Sequence, residues 1–407
     1  MIICQAYKFR LKTNSNIEQK LVQFAGCCRF VWNKALELIK YRLAHDRAIL
    51  WYNDLAHLLK LWKKSEEYGF LSKAHSQILQ QTLKDLEKAI KSAFTPNNGI
   101  NFPKFKKKYL NDTFRYPQGV KIEGNRIYLP KIGWICFYKS REIEGKIKQV
   151  TVKREFKFWF VSIVVEKEIF PAKRTNNPVG IDLGVKNICT LSSGEYIGPL
   201  DLSKLEKKLV REQRRLSRKK KFSKNWHKQK SRISSLWYRI KNKRYDYLHK
   251  LTTTIAKNHG IVVMEDLRIK NMTKSSRGTI ENLGHKVKQK AGLNRSILRQ
   301  SWGILKRLLE YKLEFSGGEL RLVDPKYTSL ECPVCGHVDK NNRKSQSLFV
   351  CQSCGYKDNA DHVASINILS RGYLPQGMRE IKPVEYARVH TMKQEPAGTC
   401  KEVPLPV

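Results

Sequence analysis

The sequence predicts a multidomain α+β protein: a β-barrel-like N-terminal unit with a helical bundle inserted into it, then an α/β unit carrying a cysteine-rich segment. Three observations carry this. Hydrophobic periodicity changes from alternating to helical near residue 16 and returns to alternating after about residue 100. Two short apolar strands, Val179-Gly180-Ile181-Asp182 and Ile261-Val262-Val263-Met264-Glu265, each end on an acid and bracket a long helical stretch. Two Cys-x-x-Cys pairs follow them. A length of 407 residues with 41% hydrophobic content suits two or three globular domains.

The opening strand rests on alternation at Ala6, Tyr7, Phe9 and Leu11. Residues 16–95 read as the helical bundle, with helices over 16–45, 52–63 and 73–95 from apolar positions at 3.6-residue spacing. Pro96-Asn97-Asn98-Gly99 ends it, and Phe102-Pro103-Lys104-Phe105-Lys106-Lys107-Lys108 interleaves aromatics with cations. Strand signals at 126–129, 134–137 and 158–165 complete the β unit, which takes in 1–15 and 96–170. Residues 202–258 read as a basic helical hairpin, since acids that would balance its cations are scarce after Glu212. Residues 268–294 are Lys-rich with few apolar anchors, and are expected to be mobile without a ligand. One helix is expected over 297–315, a strand over 320–323 and a short helix over 361–370. The Pro-rich stretch 372–407 reads as a disordered tail.

Lys and Arg number 79 against 36 Asp and Glu, a formal charge of +43. Such a chain repels itself unless a polyanion offsets it, and nucleic acid is the expected partner. A membrane partner is not expected, because no basic amphipathic anchor or long apolar run is evident. No signal peptide is indicated at the start, and six of the ten cysteines show no framework spacing. Most of those six (Cys4, Cys27, Cys28, Cys136, Cys189, Cys400) are expected to be buried free thiols, and the setting cytoplasmic and reducing.

The strongest chemical signal is Cys332-Pro333-Val334-Cys335-Gly336 with Cys351-Gln352-Ser353-Cys354-Gly355. The gap between the pairs lies in the range of about 15–20 residues expected for a zinc ribbon. Four thiolates fill a tetrahedral shell, so such a site is structural and not catalytic. Asp182, Glu265 and Asp361 form the second constellation. An acid at the end of an apolar strand is costly unless neutralised, and carboxylates suit Mg²⁺ or Mn²⁺ with positions left for water and phosphate. Taken singly, each has a bland alternative: a salt-bridged core Asp, a structurally capped Glu265, a helix N-cap at Asp361. Beside so basic a chain the shared metal reading gains. Asp266 and Asp358 are neighbouring decoys, Asp266 pointing to the opposite strand face.

Gly180-Ile181-Asp182-Leu183-Gly184-Val185-Lys186, Val263-Met264-Glu265-Asp266-Leu267, Tyr327-Thr328-Ser329 before Cys332, and Asp361 through Ile368 together resemble the TnpB family. Phe102-Pro103-Lys104-Phe105-Lys106 and the helix containing Leu79-Gln80 match its front half, so the resemblance spans about residues 1–370. The family consists of transposon-encoded RNA-guided DNA endonucleases, related to CRISPR effectors with a single RuvC-like nuclease domain. The resemblance implies an RNase H-like (RuvC) nuclease domain over 171–326 and 358–371, with the zinc ribbon inserted at 327–357. It implies Asp182, Glu265 and Asp361 as catalytic Mg²⁺ or Mn²⁺ ligands, and Cys332, Cys335, Cys351 and Cys354 as ligands of structural Zn²⁺. A guide RNA, double-stranded target DNA and a separately encoded transposase would be the partners. The wedge-like β unit and the helical recognition domain would read a short flanking DNA motif, with Gln80 on an adenine edge and Tyr52 stacking or bracing. Lys104, Arg214, Arg215, Arg218 and Lys219 would contact nucleic acid. Val363 departs from the Asn that many relatives carry at that place, which touches only local packing.

The expectation is therefore an RNA-guided, divalent-metal-dependent DNA endonuclease of the prokaryotic cytosol. Its rivals are a strand-transfer transposase, a guided repressor that does not cut, and a zinc-ribbon DNA-binding factor. The repressor would want an acid missing, and the last would leave Asp182 and Glu265 as coincidences.

Overall fold

The computed structural model describes residues 2–96, 99–108, 110, 112–169, 177–279 and 281–373. The chain divides into two compact units, 1–170 and 171–407.

The first unit opens with β1 (Ile2–Arg10) and continues through three helices, α1 (Ser15–Leu43), α2 (Tyr52–Lys64) and α3 (Ser76–Phe94). Asn14 caps α1, its side chain accepting from the Ile17 N–H at 2.9 Å. The strands β2 (Thr113–Tyr116), β3 (Lys121–Glu123), β4 (Arg126–Leu129), β5 (Gly133–Cys136), β6 (Lys146–Glu155) and β7 (Phe158–Glu168) follow. They form an antiparallel four-stranded sheet in the order β1-β7-β6-β2 and a separate three-stranded meander β3-β4-β5. The β1 alternation places Tyr7, Phe9 and Leu11 inside, against Val161, Ile163 and Val165 from β7. The strands β2, β3 and β6 were not among the expected ones. In β6 the alternation Val150-x-Val152 is short and sits among lysines, which masks it.

The helices and sheets of this unit share one continuous core, in which Phe24, Leu36 and Leu79 meet Phe114, Tyr116 and Trp159. Two family-like features are pinned to α1. The Trp32 indole N–H donates to the Lys104 carbonyl at 3.2 Å, and the Asn33 amide brackets the Lys106 backbone at 2.8 and 3.0 Å.

The second unit contains β8 (Pro178–Asp182), β9 (Cys189–Leu191), β10 (Tyr196–Ile197), α4 (Ser203–Ser217), α5 (Lys224–Asn258), β11 (Ile261–Glu265) and α6 (Ile269–Met272). It continues with α7 (Val287–Gln300), α8 (Trp302–Phe315), β12 (Glu319–Val323), β13 (Leu348–Val350), β14 (Lys357–Asn359) and α9 (Ala360–Tyr373). Five strands order as β10-β9-β8-β11-β12; β8, β11 and β12 run parallel and β9 returns antiparallel to β8. The helices α4 and α5 form the expected hairpin, sealed by Leu209, Ile233, Leu236 and Ile240.

One expectation needs correction. The helix expected over 297–315 is two helices broken at Ser301, which takes a left-handed φ of 59°. Gln300 and Trp302 are buried on either side of the break. The described residues within 268–294 include α6 and the start of α7. Lys290 donates to the Met272 carbonyl at 2.7 Å, and the Asn294 amide donates to the Thr273 and Lys274 carbonyls at 3.0 and 3.1 Å.

Of the six unpaired-motif thiols, Cys27, Cys28 and Cys189 are buried, Cys136 is half-buried and Cys4 is exposed. Cys400 and the expected tail from residue 374 onward lie outside the described residues. Among the described residues no helix is long and apolar enough to cross a membrane.

Candidate functional site

Parallel pairing brings the first two acids together. Ile181 stands opposite Met264 in the β8–β11 register, so the next residues, Asp182 and Glu265, leave the sheet at the same carboxyl end. That end of a parallel sheet is where side chains and loops converge on a ligand. Asp361 arrives from another direction, in the first turn of α9, which packs across β8 and β11. The approach is very close. A Cβ on Gly180 would come 2.1 Å from the Ser365 carbonyl oxygen, and one on Gly372 would come 2.3 Å from Val263 Cγ1. Glycine is needed at Gly180 because the α9 backbone lies against the strand there, and at Gly372 because the Val263 side chain fills the space.

The electrostatics of the trio are those of an incomplete site. Burial, reinforced by the negative charges of Glu265 and Asp361, drives the Asp182 carboxyl from its ordinary 3.8 up to about 7. Arg343 and the Leu183 N–H oppose that rise without cancelling it. Glu265 is also raised by burial, with the Thr328 hydroxyl and Arg371 pulling the other way. Thr328 Oγ1 donates to Glu265 Oε1 at 2.6 Å. Its own loop is held by Asn367, whose amide donates to the Thr328 and Glu331 carbonyls at 2.8 and 2.7 Å. Arg343 Nη2 stands 3.5 Å from Asp361 Oδ1. Three carboxylates face Arg343 and Arg371, so a divalent cation fits the charge that the protein leaves uncompensated.

The decoys are otherwise engaged. Asp266 is exposed on the far strand face and pairs with Lys306 at 2.9 Å. Asp358 accepts from the Tyr356 hydroxyl at 2.9 Å and lies 2.7 Å from His362 Nδ1.

The four cysteines are the group among the described residues whose ligand atoms gather as a metal site would require, all within 4.8 Å of one another. Cys332 Sγ lies 3.6 Å from Cys354 Sγ, and Cys335 Sγ 3.5 Å from Cys351 Sγ. A tetrahedral ion with bonds of about 2.3 Å would set such separations near 3.8 Å, so the thiols are already spaced for one. Burial opposes ionisation of Cys351, but the Cys354 and Ser353 N–H groups aimed at its sulfur bring it down to about 6. Burial pushes Cys332 up to about 12. The strand β14 runs from this cluster straight into α9, and Arg343 belongs to the same segment.

Arg343, Thr328, Asn367 and Gln300 were missed by sequence reasoning. Gln300 Nε2 donates to the Val185 carbonyl at 2.7 Å and steadies the loop that leaves Asp182. Thr328 and Asn367 had a readable signal, in the Tyr327-Thr328-Ser329 motif and in the stretch from Asp361 through Ile368.

The expected nucleic-acid residues are distributed over both units. In the first, Tyr52 opens α2 and Gln80 lies mid-α3, both half-buried; Lys84, one turn beyond Gln80, sits 5.0 Å from the Tyr52 ring centre. Lys104 is exposed in its strap. In the second, Arg214, Arg215 and Arg218 are exposed on α4 or its C-cap, with half-buried Lys219 beyond, and Arg215 pairs with buried Glu212 at 2.9 Å.

The second unit thus gathers strand-end and helix-borne carboxylates at one end of its sheet and carries a separate cluster of four cysteines. A "Probable transposase" family model matches residues 162–276, a Cas12f1-like TNB domain model matches 302–368, and a helix-turn-helix model matches 1–47. Residues 1–47 fold here as β1 and the single helix α1, so the last description is not realised locally. The chain is 45% identical over 396 residues to the "Putative RNA-guided DNA endonuclease InsQ" of Escherichia coli strain K12, covering 96% of this chain and 97% of that protein. It is 30% identical over 425 residues to a "Putative RNA-guided DNA endonuclease" of Streptomyces pristinaespiralis, covering 98% of each. A "TnpB-like protein" of Methanocaldococcus jannaschii is 25% identical over 364 residues, 85% of this chain and 78% of that one. The chain belongs to the TnpB family.

Proposed function

We propose that this protein is an RNA-guided DNA endonuclease of a transposable element, with its phosphodiester chemistry at Asp182, Glu265 and Asp361. The observation that carries the reading is the convergence of these three acids in a chain whose full length matches endonuclease relatives. Mg²⁺ or Mn²⁺ bound there would supply an activated water and stabilise the leaving oxygen. The protein's own contribution is positional. Thr328 fixes one oxygen of Glu265 and leaves the other for a ligand. Arg343, beside Asp361, offers a cation to a non-bridging phosphate oxygen. The parallel β8–β11 register holds Asp182 and Glu265 at one level, and α9 supplies Asp361 across them. No Ser or Tyr nucleophile is required.

Cys332, Cys335, Cys351 and Cys354 would hold Zn²⁺ as a structural ion. Sequence specificity would come from base pairing with the guide, the protein reading backbone shape and a short flanking motif. Tyr52, Gln80 and Lys104 are the residues proposed for the motif side. Arg214, Arg215, Arg218 and Lys219 are proposed for the phosphate backbone, and the chain's charge of +43 suits such contacts along long grooves. A transposase encoded beside it would be a separate protein.

The test is to purify the protein, sequence the RNA that accompanies it, and assay cutting with Mg²⁺ on guide-matched DNA carrying randomised flanks. A discrete RNA, with cutting abolished in Asp182→Ala, is the expected result. Discrete RNA and tight binding without cutting by the wild-type protein would instead make it a guided repressor.

A further inference from the structure

The tip of the α4–α5 hairpin carries a feature that backbone neutralisation alone does not explain. Phe222 is 77% exposed, the side chain at the very turn of the hairpin. Its backbone takes a left-handed φ of 66°, a region where a bulky residue is strained and glycine or asparagine is at ease. Nothing about stability selects a phenylalanine there. The bland alternative is a hydrophobic staple closing the start of α5, but a staple buries its ring and this one is left in water.

Beside it, the Trp226 ring lies 5.6 Å from the Phe222 ring at an interplanar angle of 49°. The tryptophan is held from two directions. Its backbone N–H donates to the Ser223 side chain at 3.1 Å, capping α5, and Lys230 Nζ sits 4.9 Å from the ring centre. Lys219, Lys220, Lys221, Lys224 and Lys228 flank the pair along the chain, and residues 213–245 contain no acid at all. Buried Glu212 is spoken for by Gln229 and Arg215.

We propose that the hairpin tip is a base-stacking site for an unpaired nucleotide of the guide RNA, with Phe222 and Trp226 as the stacking surface and the lysines holding the flanking phosphates. This rests on the RNA-guided reading above. Lysines alone would serve any phosphate backbone, but the exposed Phe222 ring, beside half-buried Trp226, needs an exposed base face. Duplex target DNA hides its base faces in the stack, whereas loops and ends of a folded RNA present them. Stacking tolerates any base, so the site anchors the guide without reading its sequence.

The experiment maps 2′-hydroxyl acylation along the RNA that co-purifies with full-length wild-type protein, Phe222→Gly and Phe222→Trp. Glycine suits the left-handed turn, so Phe222→Gly removes the ring without harming the fold. A short run of unpaired nucleotides protected in wild type and in Phe222→Trp should become reactive in Phe222→Gly, the rest of the profile staying the same. In competition at fixed salt the glycine variant should hold that RNA about 5- to 100-fold less tightly, with an unchanged salt slope. The double variant Lys220→Ala, Lys221→Ala should instead flatten the slope. Identical reactivity and affinity in wild type and Phe222→Gly would overturn the stacking site while leaving guided cutting intact. Absence of any discrete RNA from the wild-type preparation would overturn the guided reading itself, and this inference with it.

Discussion

The cysteine cluster and the acid trio sit in the same unit yet solve opposite problems. The cysteines close on themselves: four sulfurs at 3.5–3.6 Å across the pairs, with backbone N–H groups already aimed at Cys351. The acids stay open: Arg343 and Arg371 act on three carboxylates, and burial and its neighbours keep the Asp182 carboxyl protonated up to about 7. The two are nevertheless wired together, because β14 leads from Cys354 to Asp361 and Arg343 rides on the cysteine segment. On the proposed reading, the cysteine segment would position the third acid as well as serve the fold.

The largest effect should come from breaking the closed site. Cys351→Ser should lower zinc content from one ion per chain to none, make 327–359 protease-sensitive, and reduce cutting by about a thousandfold or more through displaced Asp361. Full activity in a zinc-free variant would separate the two sites.

Next is Gly180→Ala, which drives a methyl into the Ser365 carbonyl and pushes α9 off β8. A loss of about 2–4 kcal/mol in thermal or denaturant unfolding is expected, with cutting lost faster than RNA binding. Thr328→Val is gentler. Removing the hydroxyl that holds Glu265 should cost about 10- to 100-fold in cutting. It should also move the acidic limb of the pH–rate profile upward, since that hydrogen bond pulls Glu265 down. An unmoved limb would mean that Thr328 only packs.

The smallest effect tests the openness of the acid site. Asp182 ionises near 3.8 when unfolded and about 7 when folded. Between those values the folded chain keeps a proton that the unfolded chain has lost, so this group's contribution to stability is full at low pH and declines as pH rises toward 7. In metal-free protein Asp182→Asn should flatten that decline, and added Mg²⁺ should stabilise the wild type more at pH 8 than at pH 6. Equal slopes for wild type and Asp182→Asn would show that the carboxyl is already compensated.

Both constellations were legible in the chain to different depths. The cysteine set could be read whole, ligand by ligand, because each Cys-x-x-Cys turn brings two sulfurs to one ion by local geometry. The acids could be named from their strand-end places, but their meeting depends on the β8–β11 register and on where α9 crosses. The helical hairpin was readable from its period, whereas the Ser301 break, between buried Gln300 and Trp302, interrupts an apolar periodicity that runs on across it.

By itself, then, the sequence determined the chemistry available: thiolates in chelating pairs, carboxylates ending apolar strands, and a cationic surface of +43 that demands a polyanion. Those properties follow from residue type and short spacing. Only the tertiary structure decided which groups act together. Arg343 beside Asp361, Thr328 on Glu265 and Gln300 behind Val185 are contacts across long loops, and packing at Gly180 and Gly372 sets them to within a methyl group. Long-range pairing is a property of the packed core, where one register or one crossing selects among many that the same local pattern allows.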